Sequence, residues 1–224
     1  MNRPPFAIGE YYHIYNRGVE KRVIFENQKD WDRFLTCMTV FNTKHPVGSL
    51  HEFTLARNKS GKSKTNKQEC PLVHFICFCI NPNHFHFILK EIVDGGISEF
   101  MKRLSGGYTM YFNERYNRSG VLFQGRFKSK HINTNAYLLH LSAYVNLNFR
   151  VHKNFGGSTS KSSWEEYCGD KTKMLPELSP HCHKDIILGQ FKNKKEYERF
   201  ALSSLEEIKN RRTRDQSFDT LLID

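Results

Sequence analysis

The 224-residue chain is 38% apolar and 13% aromatic, enough to bury a core and too much for a disordered protein. It has no run of about 18 apolar residues and no long apolar stretch of signal-peptide type near its start, which reads as a cytoplasmic protein without a membrane span, its six cysteines reduced. The net charge of +11 is uneven, with 21 Lys and Arg against 11 Asp and Glu in residues 1–150 and 13 against 12 in residues 151–224.

"EYYHIYNRG" (10–18) alternates and is rich in β-formers, which predicts a strand ending at Gly18. "KDWDRFLTCMTVFN" (29–42) places Trp31, Phe34, Leu35, Met38 and Phe41 at helical spacing. "RNKSGKSKTNKQE" (57–69) is a Lys-rich polar loop without periodicity. "LVHFICFCI" (72–80) and "HFHFILKEI" (84–92) read as neighbouring strands around the turn "NPN". Ile97, Phe100, Met101, Leu104, Tyr108, Tyr111 and Phe112 mark a helix interrupted at Gly106-Gly107. A basic loop from Arg118 runs into a short strand, and Asn133 or Thr134 can cap the helix that follows, "NAYLLHLSAYVNLNFRV". Gly and Ser dominate from Phe155 to Ser163, as in a linker, and a near-neutral tail follows that either covers the sheet or gates a site. Two helices among four or so strands imply an α+β sandwich.

Charge is densest from Lys102 to Lys130, where seven basic residues face one acidic, Glu114, with Tyr108, Tyr111, Phe112, Tyr116, Phe123 and Phe127 interleaved. Cations neutralise phosphates and aromatic faces stack on unpaired bases, so the mixture suits single-stranded nucleic acid, although a solvated surface over core aromatics has the same composition. His84 and His86, two apart on a strand, project from one face while Phe85 and Phe87 project from the other. Such a pair can hold one metal ion, or be two satisfied histidines. Cys77 and Cys79 also share one strand face, so a zinc site with the His pair is a rival reading, against which buried cysteine is a small hydrophobe. On the later helix Leu138, Leu141, Val145 and Phe149 form the apolar stripe, and Tyr137, His140, Tyr144 and Asn148 border it. Tyr144 and Asn148 are one turn apart.

Together these segments resemble the REP-associated tyrosine transposases of the HUH class of single-strand DNA endonucleases. "YYHIYNRGVEKRVIF" (11–25) resembles that family's opening strand and Arg-Gly turn, "NPNHFHFIL" (81–89) its His-hydrophobe-His motif, and "YFNERYNRSGVLFQGRFKS" (111–129) its basic segment. "YVNLN" (144–148) and "SWEEYCGD" (163–170) resemble its tyrosine motif and a downstream element. The resemblance implies a ferredoxin-like α+β sandwich with an antiparallel sheet, helices on one face and a C-terminal helical extension. Residues 1–154 would be the HUH transposase catalytic domain, with a Lys-rich insertion at about 43–70, and residues 155–224 the linker and extension. It also implies Tyr144 as nucleophile, and His84, His86 and Asn148 as ligands of a divalent ion, magnesium or manganese. Arg115, Arg118, Arg126, Lys128 and Lys130 would hold single-stranded or hairpin DNA, and the working form would be a homodimer. Phe149 stands where the family usually has proline, which would let the helix run through Asn148. A domesticated protein that binds DNA hairpins without catalysis is the alternative.

Overall fold

A computed structural model of the chain describes residues 5–45, 48, 50, 70–151, 160–169 and 179–214. The Lys-rich loop at 57–69 and most of the 155–163 linker lie outside them. Strand β1 (Tyr11–Arg17) is followed by helix α1 (Gln28–Val40), strands β2 (Val73–Asn81) and β3 (His84–Glu91), helix α2 (Gly96–Arg115) and strand β4 (Lys128–Ile132). This β1α1β2β3α2β4 series forms an antiparallel sheet in the order β4-β1-β3-β2, extended beyond β2 by the two-residue β5 (Lys161–Ser162). It is the ferredoxin-like α+β arrangement expected from the sequence. Among the described residues no helix is long and apolar enough to cross a membrane.

Helices α1 and α2 lie on one face of the sheet. There Phe34, Phe100, Met101 and Tyr108 pack on Ile14, Phe85, Phe87 and Leu89, and all eight are inaccessible to solvent. Burial of these aromatic and aliphatic side chains is the main drive for this layer, at roughly 1.5–3 kcal/mol each. Asn27 and Asp30 form a reciprocal capping box at the start of α1. The Glu91 carboxylate accepts from the Gly96 and Ile97 amides and so caps α2. The sequence predicts a break in α2 at Gly106-Gly107, but the helix runs through both. A Cβ at Gly107 would lie 2.7 Å from Phe41 Cε2, so the glycine lets α1 and α2 approach rather than ending the helix.

The opposite face, which carries His84 and His86, is covered by helix α3 (Asn135–Asn146) and, outside it, by the last helix, α6 (Lys194–Arg214). Two short helices, α4 (Trp164–Cys168) and α5 (Asp185–Leu188), complete the described chain. Cover on one face therefore describes α1 and α2 alone; on the other face α3 and the C-terminal extension together build a second core. Tyr197 of α6 is fully buried, and its hydroxyl meets Ser142 and Asn146 of α3 at 3.1 and 2.9 Å. Ser163 Oγ in turn donates to Asn146 Oδ1 at 2.6 Å and accepts from the Phe78 amide of β2.

A short strap, Ser179–His183, lies along β2. The His183 amide donates to Phe75 O at 2.7 Å, and the His183 and His74 rings stack 3.7 Å apart. Burial first, then the charges of His183 and Lys90, lowers the His74 pKa to about 4. Burial and His181 also lower that of His183, against the opposing pull of Asp185. The released segment therefore takes up protons near 6.5, before the stacked pair does, so acidification favours release. Between pH 7 and pH 5, hydrogen exchange at the His183 amide, corrected for its intrinsic rate, should accelerate while that of β3 stays unchanged. Equal protection at both values would remove the pair from any role in holding the strap.

Candidate active site

Antiparallel pairing sets three rows of side chains across the α3-facing side of the sheet. Asn81, His84 and Arg17 form the first, Cys79, His86, Tyr15 and Lys128 the second, and Cys77, Ile88, His13 and Lys130 the third. The sequence placed His84 and His86 on one face. The pairing adds their neighbours from β1, β2 and β4, which no local pattern specifies.

Both imidazoles are buried, at 3% and 1% exposure, and each Nδ1 is occupied. His84 Nδ1 donates to Asn83 Oδ1 at 2.6 Å, which leaves Nε2 as the lone-pair nitrogen. That Nε2 lies 3.2 Å from Asn148 Oδ1. With the proton on Nδ1, neither of these atoms can donate to the other. The Asn81 amide bridges them, its Nδ2 3.0 Å from His84 Nε2 and 2.7 Å from Asn148 Oδ1. Ser160 Oγ holds the other end of that amide by donating to Asn81 Oδ1 at 2.9 Å. Two acceptors thus converge on one donor position, the arrangement a small cation also requires.

His86 Nδ1 lies 3.0 Å from Nε2 of His13, on β1. Burial and the nearby Lys130 charge lower the His13 pKa to about 3, so it is a neutral ring in the fold. A neutral His13 can accept from His86 Nδ1–H and direct the His86 Nε2 lone pair outward. Sequence reasoning missed His13. Its signal was the alternation of "YYHIYNR", which puts His13, Tyr15 and Arg17 on one strand face.

Tyr144 comes from α3, is 2% exposed, and sets its ring edge-on against His86 and His13, with centroids 5.6 and 6.4 Å apart. The α-helix does not run through Asn148 as the absence of proline suggested. It ends at Asn146, and Asn148, itself fully buried, opens a 3-10 turn and faces His84. His84, His86, Tyr144 and Asn148 are therefore neighbours.

The residues expected to meet DNA divide into two groups. Lys128 and Lys130 stand on the same face as the histidines, and Arg126 is exposed just before them. Arg115 and Arg118 belong to the far end of α2, where Arg115 Nε is 3.4 Å from Asp30 and Arg118 donates to Asn113 and Val121. Cys77 and Cys79 do share the histidine face, but they are fully buried in the α3 core, and burial pushes the Cys79 thiol up to about 12. Among the described residues no group of three or more His, Cys, Asp or Glu is disposed to hold an ion; beside the histidine pair, the carboxamide oxygen of Asn148 is the neighbouring acceptor, 3.2 Å from His84 Nε2. That donor set, two neutral nitrogens and a neutral oxygen, fits a divalent cation.

A small open pocket reaches this platform, lined by Tyr15, Arg17, His84, His86, Gln124 and Lys128. Its rim is basic and holds no carboxylate. A family model described as "Transposase IS200 like" matches residues 36–148, half of the chain, a span that contains both histidines, Tyr144 and Asn148. A solved structure described as a REP-associated tyrosine transposase bound to a REP hairpin is 12% identical, with 82% of this chain and 92% of that one covered and a TM-score of 0.42. No curated protein matches the chain.

Proposed function

Because the chain belongs to the IS200-like transposase family, we propose that it is a metal-dependent tyrosine transposase and endonuclease that nicks and rejoins single-stranded, hairpin-bearing DNA through a 5′-phosphotyrosine link. The observation that carries this reading is the convergence of His84 Nε2 and Asn148 Oδ1, beside a His86 ring that packs on Tyr144. His84, His86 and Asn148 hold a divalent ion, magnesium or manganese. When bound, that ion supplies positive charge to the non-bridging oxygens of a phosphodiester. Asn83 and His13 keep the two imidazoles in the tautomer that offers Nε2. Tyr144 Oη attacks phosphorus in line; the Oη–P bond forms as the P–O3′ bond breaks. The phenol loses its proton and the departing 3′ oxygen gains one. The link retains the energy of the broken bond, so a returning 3′-hydroxyl can reverse the step without a nucleotide triphosphate.

Residues 1–154 carry this chemistry, and the protein acts in the cytoplasm as a homodimer, a state that light scattering of the intact chain tests. Arg126, Lys128 and Lys130 follow the DNA backbone on the histidine side. Replacing Lys128 and Lys130 together by alanine removes two phosphate contacts. For a single strand this lowers the slope of log affinity against log salt by about 1.4. An unchanged slope in a salt titration would remove β4 from the DNA path.

The deciding experiment incubates the protein with manganese and a labelled single-stranded hairpin from the DNA beside its own gene, followed by a denaturing gel. A protein–DNA adduct that disappears with chelator is the expected result. Tight binding of the same DNA without an adduct would support the hairpin-binding alternative instead.

A further inference from the structure

We propose that Arg17 binds the phosphate that Tyr144 attacks, an assignment that rests on the transposase reading above. Arg17 is the last residue of β1 and pairs directly with His84, so it stands beside the metal platform in the first row of the sheet. It lines the basic pocket together with His84, His86 and Lys128. Its Nε is sequestered from solvent and makes no hydrogen bond among the described residues. A guanidinium N–H held away from water without an acceptor loses its solvation and gets nothing in return, so it marks a place where an acceptor is expected.

The contrast with other arginines sharpens the point. Arg103 Nε donates to Glu99, Arg115 lies against Asp30 and Arg118 donates to Asn113. Each is bound up in the fold; Arg33 Nε also lacks a hydrogen bond among the described residues, but its guanidinium lies over the Tyr111 ring, whereas Arg17 lines a pocket that holds no carboxylate. The backbone that carries Arg17 is fixed on three sides. Its amide donates to Asn16 Oδ1 at 2.8 Å, its carbonyl accepts from Gln124 N at 2.8 Å, and the next amide, Gly18, donates to Asn83 O. Asn83 is the residue whose side chain orients His84. One loop therefore registers the arginine and the first metal ligand together. An arginine fork matches the two non-bridging oxygens of a phosphodiester, and its charge opposes the negative charge that grows there during in-line attack.

The test compares wild type, Arg17→Ala and Arg17→Lys on the hairpin DNA, reading dissociation constants by fluorescence anisotropy and adduct formation by single-turnover gel kinetics. Arg17→Ala should slow adduct formation by on the order of 10²–10³-fold, with the dissociation constant changed by no more than about threefold, as for one phosphate contact among several. Arg17→Lys keeps the charge without the fork and should fall between. On DNA with a neutral methylphosphonate at the cleaved position, the difference between wild type and Arg17→Ala should largely disappear. An equal loss on both DNAs, or a loss of binding alone, would overturn the assignment. If the wild-type protein forms no adduct, the transposase reading fails separately, and the Arg17 site is then read by NMR. With 15N-arginine-labelled wild type, the Arg17 Nε–H resonance must move when the uncleaved oligonucleotide is added, and a stationary resonance rejects the phosphate site.

Discussion

Replacing Tyr144 by phenylalanine should remove the covalent DNA adduct, with a loss on the order of 10⁴-fold or more, while hairpin binding stays within about threefold of wild type. The substitution deletes one oxygen and keeps the ring. That ring is what packs edge-on against His86 and His13, and at 2% exposure it is part of the second core. Fold and metal platform therefore survive, which separates chemistry from structure more cleanly than alanine would. The readout is a denaturing gel beside an anisotropy titration of the same protein. An adduct that persists in Tyr144→Phe would move the nucleophile elsewhere, and Tyr15, whose ring lies 5.8 Å from that of His86, would be examined next.

The second large effect concerns stability. Asp30 is fully buried. Its carboxylate accepts from the Glu26 and Asn27 amides at 2.8 and 3.1 Å and from the Tyr111 and Tyr116 hydroxyls at 3.0 and 2.7 Å, with Arg115 Nε at 3.4 Å. This one side chain caps α1 and ties it to the end of α2. Burial, reinforced by the hydrogen bond to Asp30, pushes the Tyr111 phenol up to about 12 and keeps it a donor. Asp30→Ala would take the acceptor from two phenols and two amides at once, while the partly exposed Arg115 turns to water. The expected cost is about 3–5 kcal/mol, which at this chain length lowers Tm by roughly 6–20 °C. Asp30→Asn retains an acceptor and should lose less. A thermal melt in which Asp30→Ala loses under about 1 kcal/mol would show that α1 and α2 are held together by their apolar contact alone.

The same residue shows where sequence reading ended. The aromatic and basic segment from Lys102 to Lys130 looked uniform as a string, and the resemblance of residues 111–129 to a basic segment offered Arg115 and Arg118 as DNA contacts on the same footing as Arg126, Lys128 and Lys130. Arg115 instead lies beside Asp30, in the capping box of α1, a three-dimensional pairing no periodicity announces. The strand-borne signals were legible because they are local. Alternation put His84 with His86, helical spacing put Tyr144 near Asn148, and both pairs were found together. His13 and Arg17 lay in the same kind of alternating run, but their importance depends on which strand pairs with β3 and in which register, a non-local choice. The tail was legible as a near-neutral extension that either covers the sheet or gates a site, with no means of choosing between the two. Tyr197, Ala201 and Leu205 recur at helical spacing and are buried, yet nothing local says that their stripe closes over the helix that carries Tyr144. The end of α3 was misjudged because absence of proline permits a longer helix without requiring one. The chain turns at Leu147, and the 3-10 turn keeps Asn148 pointed at His84.

The depth of Tyr144 bears on what kind of enzyme the proposed chemistry would make. A phosphotyrosine formed where the phenol now sits would be an ester lodged between imidazole rings under a helix, largely out of reach of bulk water. Spontaneous hydrolysis would be slow there, and a strand end already held in the pocket would be the favoured acceptor. Shielding of that kind separates a strand exchanger from a nuclease. The broken chromosome end would stay attached, chemically competent and protected from exonucleases for as long as the protein remains folded, and its lifetime would be set by the stability of the second core rather than by solvent.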